Sequence, residues 1–414
     1  MKRAIFILTA CTVACAAQSL DQPTHQEVAP IKIPLGEEGT LKTISMDRHG
    51  NLLVGVSFRP GSNAAAANTK PALMDRLREA SRAGDAKAWD AELAAATVDE
   101  LRDAMAAADA DTRRDLMNAL PSDKRDAVMQ SMRGKGGRGG IRDVNPDARG
   151  GISPQLSTDH EGHAYELKVV SPDGKVLATW PMNDGLAPKM IFGCPDGAVY
   201  VAGGGKLAQF TEDGKLVKMV DTDAVCGQKA TASGICADAT HVYLALGMGN
   251  STRATEDFYK FKRDLSEPKM IVERQFGCCS HIDLRVAGGE LLIAENSRHR
   301  VNLFDLNGKP KTTWGQRDRT SIAGFTACCN PCNIDFGPGG VLYTAESGVG
   351  RVKKYSADGK FLGLVGYVDT TKFDSGGQLA ATSCYIPMEV NADASRIYVM
   401  DVRAHIIRVL EKKS

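Results

Sequence analysis

The sequence predicts an all-β fold, a six-bladed β-propeller of four-stranded antiparallel blades, with an α-helical insertion in the first blade. Two long segments, Ser280–Gly315 and Pro331–Gly366, match element for element. Each has a strand, a Gly-rich turn, a strand ending in Ala-Glu, a third strand beginning with Arg-Val, a tight turn and a fourth strand. The tight turns hold Asn-Gly or Asp-Gly between alternating apolar runs, which strongly indicates hairpins. Units of four short strands that recur about every 45 to 55 residues are typical of propeller blades.

The same unit recurs elsewhere in the chain. The remaining copies, in order, are Leu41–Phe58 completed by Tyr165–Trp180, then Ala187–Asp221, Ser233–Gln275 and Pro387–Leu410. The last copy holds three strands, and Val28–Gly36 can supply the fourth. Closing the ring with a strand from the other end of the propeller would leave no open sheet edge. The predicted propeller therefore comprises residues 28–58 and 159–414.

The first blade is interrupted by a segment of different composition. Residues 64–133 are rich in Ala, Asp, Arg and Met at helical spacing, which predicts an α-helical insertion. Thr97 and Glu100 fit a capping box at the start of one helix. Residues 134–158 are rich in Gly and Arg, and we interpret them as a flexible linker rather than an RNA-binding tract.

An acidic residue stands five positions before Arg-Val in two of the units, Glu295–Val301 and Glu346–Val352. With the four-strand period, this element resembles NHL-repeat β-propellers, over roughly Val28–Phe58 and Tyr165–Leu410. The resemblance implies the fold and no particular activity, because propellers host many unrelated functions. Some NHL propellers are lyases that hold a metal with histidines, but of eight histidines here His281 alone falls in a predicted channel-mouth loop.

The N-terminus predicts export. Residues 1–17 combine two positive side chains with a short apolar run, as in a signal peptide. Thr12–Cys15 resembles a bacterial lipobox, which would place a lipid on Cys15 and tether the protein, whereas ordinary cleavage near Ala16 or Ala17 is the alternative. We expect a periplasmic or cell-envelope location. A net charge of +1 gives no reason to expect nucleic acid, and membrane contact is expected only through the lipid anchor.

Cysteines concentrate in loops that lead into innermost strands, and these loops meet at one mouth of the channel. Apart from Cys11 and Cys15, nine of the eleven cysteines remain. The binding-face candidates in these loops are Cys278, Cys279, His281, Cys328, Cys329, Cys332 and Cys384. In an oxidising compartment they predict disulfides that clamp neighbouring blades. A zinc or copper ion at Cys279, His281, Cys329 and Cys332 is one alternative, and a redox-active Cys329–Cys332 pair is another.

Polar residues on the innermost strands complete the candidate face. Asp283, Asn333, Asp335 and Glu389 are predicted to line the channel. Calcium-dependent lactonase propellers use Glu, Asn and Asp near the axis, so calcium is an alternative to a solvated lining, although no cofactor is predicted. The sequence contains no serine-nucleophile motif or phosphate-binding loop. We therefore predict a binding or scaffold module for an unknown protein or small molecule, with a metal-dependent hydrolase or lyase at the channel mouth as the alternative.

Overall fold

The computed structural model describes residues 19–35, 39–59, 163–227, 229–247, 255–278, 281–326, 329–368, 385–402 and 404–414, with parts of the segment 73–128. Five features predicted from the sequence lie outside these residues: the signal peptide with Cys15, the linker 134–158, Cys279, Cys328 and Cys384.

The described residues form six antiparallel sheets of four strands, which confirms the predicted propeller. Blade 1 consists of β2 Thr40–Met46, β3 Leu52–Phe58, β4 Ala164–Val170 and β5 Val176–Met182. Blade 2 consists of β6 Met190–Gly193, β7 Val199–Gly203, β8 Lys206–Phe210 and β9 Leu216–Asp221. Blade 3 consists of β10 Thr231–Ala237, β11 His241–Gly247, β12 Thr255–Lys262 and β13 Lys269–Phe276. Blade 4 consists of β14 Asp283–Ala287, β15 Glu290–Glu295, β16 Arg300–Asp305 and β17 Pro310–Trp314. Blade 5 consists of β18 Asn333–Phe336, β19 Leu342–Glu346, β20 Arg351–Tyr355 and β21 Phe361–Tyr367. Blade 6 consists of β22 Met388–Val390, β23 Arg396–Asp401, β24 Ile406–Lys412 and β1 His25–Lys32.

Burial follows the radial order of the strands. Second strands such as β15 are buried almost throughout, because each blade packs against a neighbour on both faces. Outer strands such as β9 are largely exposed. The hydrophobic core accordingly lies between blades: Leu284 of β14, for example, belongs to the same buried cluster as Cys236 and Tyr243 of the preceding blade.

The ring closes as the sequence predicts, by pairing β1 with β24 from His25↔Lys412 to Lys32↔Ile406. The closing strand begins at His25, three residues before the predicted start at Val28. His25 is buried and its Nε2 atom lies 2.9 Å from the carbonyl oxygen of Ala394, so its side chain belongs to the sixth blade.

The repeated acidic and arginine residues bond within their own blades. Arg300 bonds Glu295, Arg351 bonds Glu346 at 2.7 Å, and Arg408 bonds Asp401 at 2.8 Å. Each pair joins the second and third strands of one blade. This recurrence supports a structural role for the motif, because each copy bonds its own strands.

The described part of the segment 73–128 belongs to a second compact unit. It contains helix α1, Ala86–Ala95, and an apolar core that includes Leu77, Leu101 and Val128. The predicted capping box is present: the N–H of Glu100 donates to Thr97 Oγ1 at 3.2 Å, and the N–H of Thr97 donates to Glu100 at 2.8 Å. Among the helices that the structure describes, none is long and apolar enough to cross a bilayer.

Candidate ligand site at the channel mouth

All six innermost strands, or the loops leading into them, contribute to one small, partly open cavity at the channel mouth. Its two sides differ in character. The side formed by blades 1 to 3 is largely apolar, with Ile44, Met190, Ile191 and Ile235. The side formed by blades 4 to 6 is polar, with His281, Asp283, Arg285, Asn333 and Glu389. In such a lining the polar groups can fix the orientation of a ligand, and the apolar side chains can contact its body.

Arg285 is the centre of the polar side. Its guanidinium lies 2.7 Å from Asp283, 3.1 Å from Asp335 and 3.4 Å from Glu389. Side chains of a strand alternate between faces, so Asp283 and Arg285, two residues apart on β14, point to the same side. Arg285 is 8% exposed. One buried cation therefore faces three carboxyl groups.

Two of these carboxylates also bond the backbone of the next blade. Asp283 Oδ2 accepts the N–H of Ile334 at 2.8 Å, and Asp335 Oδ2 accepts the N–H of Val390 at 2.7 Å. Hydrogen bonds to a carboxylate are stronger than those between neutral groups. Asp283 and Asp335 therefore serve the structure of the ring, by tying the inner strands of blades 4, 5 and 6 together.

Glu389 and Asn333 are less fully bonded. In the described part of the chain, the side chain of Glu389 accepts one long hydrogen bond, of 3.4 Å, from Arg285. Burial, with the nearby charge of Asp335, raises the pKa of Glu389 well above its usual value. Asn333 donates its Nδ2 to Asp283 at 3.1 Å, which assigns the amide orientation because a carboxylate can only accept. Its Oδ1 atom is buried and has no hydrogen-bond partner among the described residues.

His281 and Tyr385 border the same cavity and pack edge to face, with ring centroids 4.6 Å apart. Nε2 of His281 donates to the carbonyl oxygen of Cys332 at 3.0 Å, so this nitrogen carries the proton. The hydroxyl of Tyr385 donates to Thr43 Oγ1 at 3.0 Å, and burial raises the pKa of this phenol. The two rings, one before β14 of blade 4 and the other before β22 of blade 6, are thus held in place at the edge of the cavity.

The residues present do not fit the calcium ion considered from the sequence. Calcium takes six to eight oxygen ligands at about 2.3–2.6 Å. Here the three carboxylates share the guanidinium of Arg285, a cation built into the fold. A second cation with such a ligand number would require these ion pairs to separate. The described residues also contain no group of three or more His, Cys, Asp or Glu side chains that could hold a metal ion.

The structure brings Cys278 and Cys329 together, with their sulfur atoms 2.7 Å apart. Two thiolates on one tetrahedral zinc, each at about 2.3 Å, would lie about 3.7 Å apart. The observed separation is therefore too short for a pair of zinc ligands. His281 Nε2 carries a proton and donates a hydrogen bond to a carbonyl oxygen, so this nitrogen has no free lone pair with which to bind a metal. Cys332, 0% exposed, follows in the same loop as Cys329.

Three other cysteines stand as free thiols away from this pair. Cys194 is buried, and burial raises its pKa to about 12. Cys236 lies buried on β10. Cys226 ends a short helix, α2, Thr222–Cys226, that the sequence interpretation missed. The sequence contains the capping residues that indicate this helix. Asp221 accepts the N–H of Ala224 at its start, and Gly227 ends it with φ +71°.

Arg285 is the functional candidate that sequence reasoning missed. The predicted lining included Asp283, Asn333, Asp335 and Glu389, and the structure brings these four residues together around Arg285. The alternation of side chains along β14 could have indicated Arg285, because it places Arg285 on the same face as Asp283.

The fold and site define a six-bladed β-propeller protein with a polar cavity at one channel mouth. No family model matches the chain, and neither does any curated protein. Solved structures similar to it include a protein of unknown function from Bacteroides caccae, with 10% identity, TM-score 0.38, and coverage of 57% of this chain and 78% of that one. Another is a gluconolactonase from Xanthomonas campestris, with 12% identity, TM-score 0.41, and coverage of 61% and 82%.

Proposed function

We propose that the protein is a ligand-binding module of the NHL type whose channel mouth takes a small organic cation. The observation that carries this proposal is the buried Oδ1 atom of Asn333, which has no hydrogen-bond partner among the described residues and lies in a cavity that also holds Glu389. A buried acceptor without a partner costs free energy, which a donor on a ligand would recover.

The charge balance of the site supports a cationic ligand. One arginine faces three carboxyl groups, so full ionisation would leave two negative charges uncompensated. Burial, and then the negative charge of Asp335, raise the pKa of Glu389 well above its usual value. A ligand ammonium beside Glu389 would favour its ionised form and donate an N–H to Asn333 Oδ1.

The opposite side explains why an organic cation fits better than an inorganic one. The side chains of Ile44, Met190, Ile191 and Ile235 carry no oxygen, and they would cover an aliphatic or aromatic body.

Export and tethering are part of the proposal. The N-terminal pattern supports delivery to the periplasm or cell envelope, with a lipid on Cys15 as the tether. The polar cavity would then be available to small molecules of that compartment.

Calorimetric titration tests the proposed function with two matched probes, n-butylammonium and 1-butanol. We expect n-butylammonium to bind at least about tenfold more tightly, a difference of about 1.4 kcal/mol. Glu389→Gln should remove most of that preference. Glu411→Gln, a change of an exposed carboxylate in the same blade, should leave it intact.

Equal affinity for the two probes would contradict the proposal. Calcium chloride is titrated in parallel because the alternative function requires a metal. Stoichiometric calcium binding that Glu389→Gln abolishes would favour the metal-dependent hydrolase or lyase instead.

A further inference from the structure

We propose that Cys278 and Cys329 form a disulfide that joins the channel-mouth loops of blades 4 and 5. Their sulfur atoms lie 2.7 Å apart, well inside the contact distance of two unbonded sulfurs and nearer the bond length of about 2.05 Å. The two residues are 51 positions apart in sequence. The link would therefore close a covalent loop across one blade boundary.

Each loop is held in place by an asparagine. Asn296 Oδ1 accepts the N–H of Cys278 at 2.8 Å, and its Nδ2 donates to the carbonyl of His281 at 2.9 Å. Asn330, next to Cys329, accepts the N–H of Ser347 at 2.8 Å. Both asparagines are fully buried. The sulfurs therefore meet because two separately braced loops place them there.

The hydrogen bond from His281 to Cys332 joins the same two loops. A disulfide between Cys278 and Cys329 would thus add a covalent link to a boundary that already has a polar one. The loops lead directly into Asp283 and Asn333, so the link would fix the spacing of the two strands that carry these residues.

The oxidation requires a disulfide oxidant, either a small-molecule disulfide or a protein one. The thiolate of one cysteine attacks the oxidant and forms a mixed disulfide, releasing the first oxidant thiol. The thiolate of the other cysteine then attacks that mixed bond and releases the second thiol. The protein loses two protons and two electrons, and the oxidant gains both.

Peptide mapping of the full chain tests the pairing. The protein is incubated with oxidised glutathione, alkylated without reductant and digested with trypsin. Cys278 lies in the peptide 275–285 and Cys329 in the peptide 320–351, which contain five cysteines together. We expect the two peptides to be linked, and to separate when reductant is added.

Matched variants locate the bond. Cys279→Ser/Cys328→Ser/Cys332→Ser leaves Cys278 and Cys329 in these peptides and should stay linked. Cys278→Ser/Cys329→Ser/Cys332→Ser leaves Cys279 and Cys328 and should not link. Fragmentation of the linked wild-type peptide gives the same assignment if a variant does not fold. A link through any other pair, or full alkylation of the oxidised wild-type protein, would overturn the proposal.

Discussion

The carboxylate of Asp335 accepts the backbone N–H of Val390 at 2.7 Å, which ties the inner strand of blade 5 to that of blade 6. Asp283 makes the equivalent bond to Ile334 one blade earlier, at 2.8 Å. Both carboxylates also bond Arg285. The polar side of the channel is therefore a structural network first. Its less fully bonded acceptors, on Glu389 and Asn333, are the ones that the proposed ligand would use.

Removing Arg285 should destabilise the propeller strongly. Arg285→Met leaves three carboxyl groups without their shared cation, and breaking a buried ion pair costs about 3–5 kcal/mol. Arg396→Met is the control, because the Arg396–Glu411 pair is about 40% exposed and such pairs contribute less than about 1 kcal/mol. Urea unfolding of both variants measures the difference. Equal losses would show that the network does not depend on Arg285.

Gly359 should tolerate a side chain poorly for steric reasons. It has φ +92°, and an added Cβ would lie 2.3 Å from Cγ of Trp314. Gly339 has φ +70° but has open space around the same position. Gly339→Ala therefore measures the backbone cost alone. Gly359→Ala should lose about 1–3 kcal/mol more in urea unfolding. Similar losses in the two variants would indicate that Trp314 does not confine this turn.

Glu256 should make stability fall as pH rises from about 4.5 to 7. It is fully buried, and burial raises its pKa from 4.5 to about 7, against the effect of a hydrogen bond from Ser233. The folded state therefore binds more protons than the unfolded state in this range, so the free energy of unfolding decreases with pH. The expected loss is about 3 kcal/mol.

Glu256→Gln should remove that pH dependence, because glutamine does not titrate. Glu273→Gln, an exposed position in the same blade, is the control. Urea unfolding at pH 5 and pH 8 gives the comparison. An unchanged pH slope in Glu256→Gln would assign the slope to another group.

Binding of n-butylammonium should strengthen as pH rises. The pKa of Glu389 is raised well above its usual value by burial and by Asp335. Cation binding requires the ionised form, so a proton must leave Glu389 at lower pH. The probe stays charged up to about pH 9, as a lysine side chain does. Calorimetry at pH values up to about 9 should show that the affinity for n-butylammonium increases with pH in the wild type. In Glu389→Gln the affinity should not change with pH. A flat wild-type profile would exclude Glu389 from the binding step.

Periodicity was enough to predict the architecture. The repeated hairpins gave all six blades, and the missing fourth strand of the last blade indicated closure by the N-terminal strand. These features could be predicted because each unit repeats the same strand and turn pattern. The start of β1 was less predictable, since His25 pairs with Lys412 and its side chain bonds Ala394, both far away in sequence.

The position of the site could be predicted from the sequence, but the hydrogen bonds and ion pairs within it could not. Asp283, Asn333, Asp335 and Glu389 could be placed on inner strands from the repeat alone. No pattern in the sequence shows that Arg285 bonds three of them, because these residues come from three different blades. The approach of Cys278 to Cys329 similarly depends on hydrogen bonds that Asn296 and Asn330 make, and the repeat pattern does not show these bonds.

A crystal structure of the protein with n-butylammonium tests the central claim most directly. We expect the ammonium nitrogen within hydrogen-bond distance of Asn333 Oδ1 and beside the carboxylate of Glu389, with the butyl chain against Ile44 and Ile235. A channel without bound probe at saturating concentration, or a probe whose nitrogen points away from both acceptors, would contradict the claim.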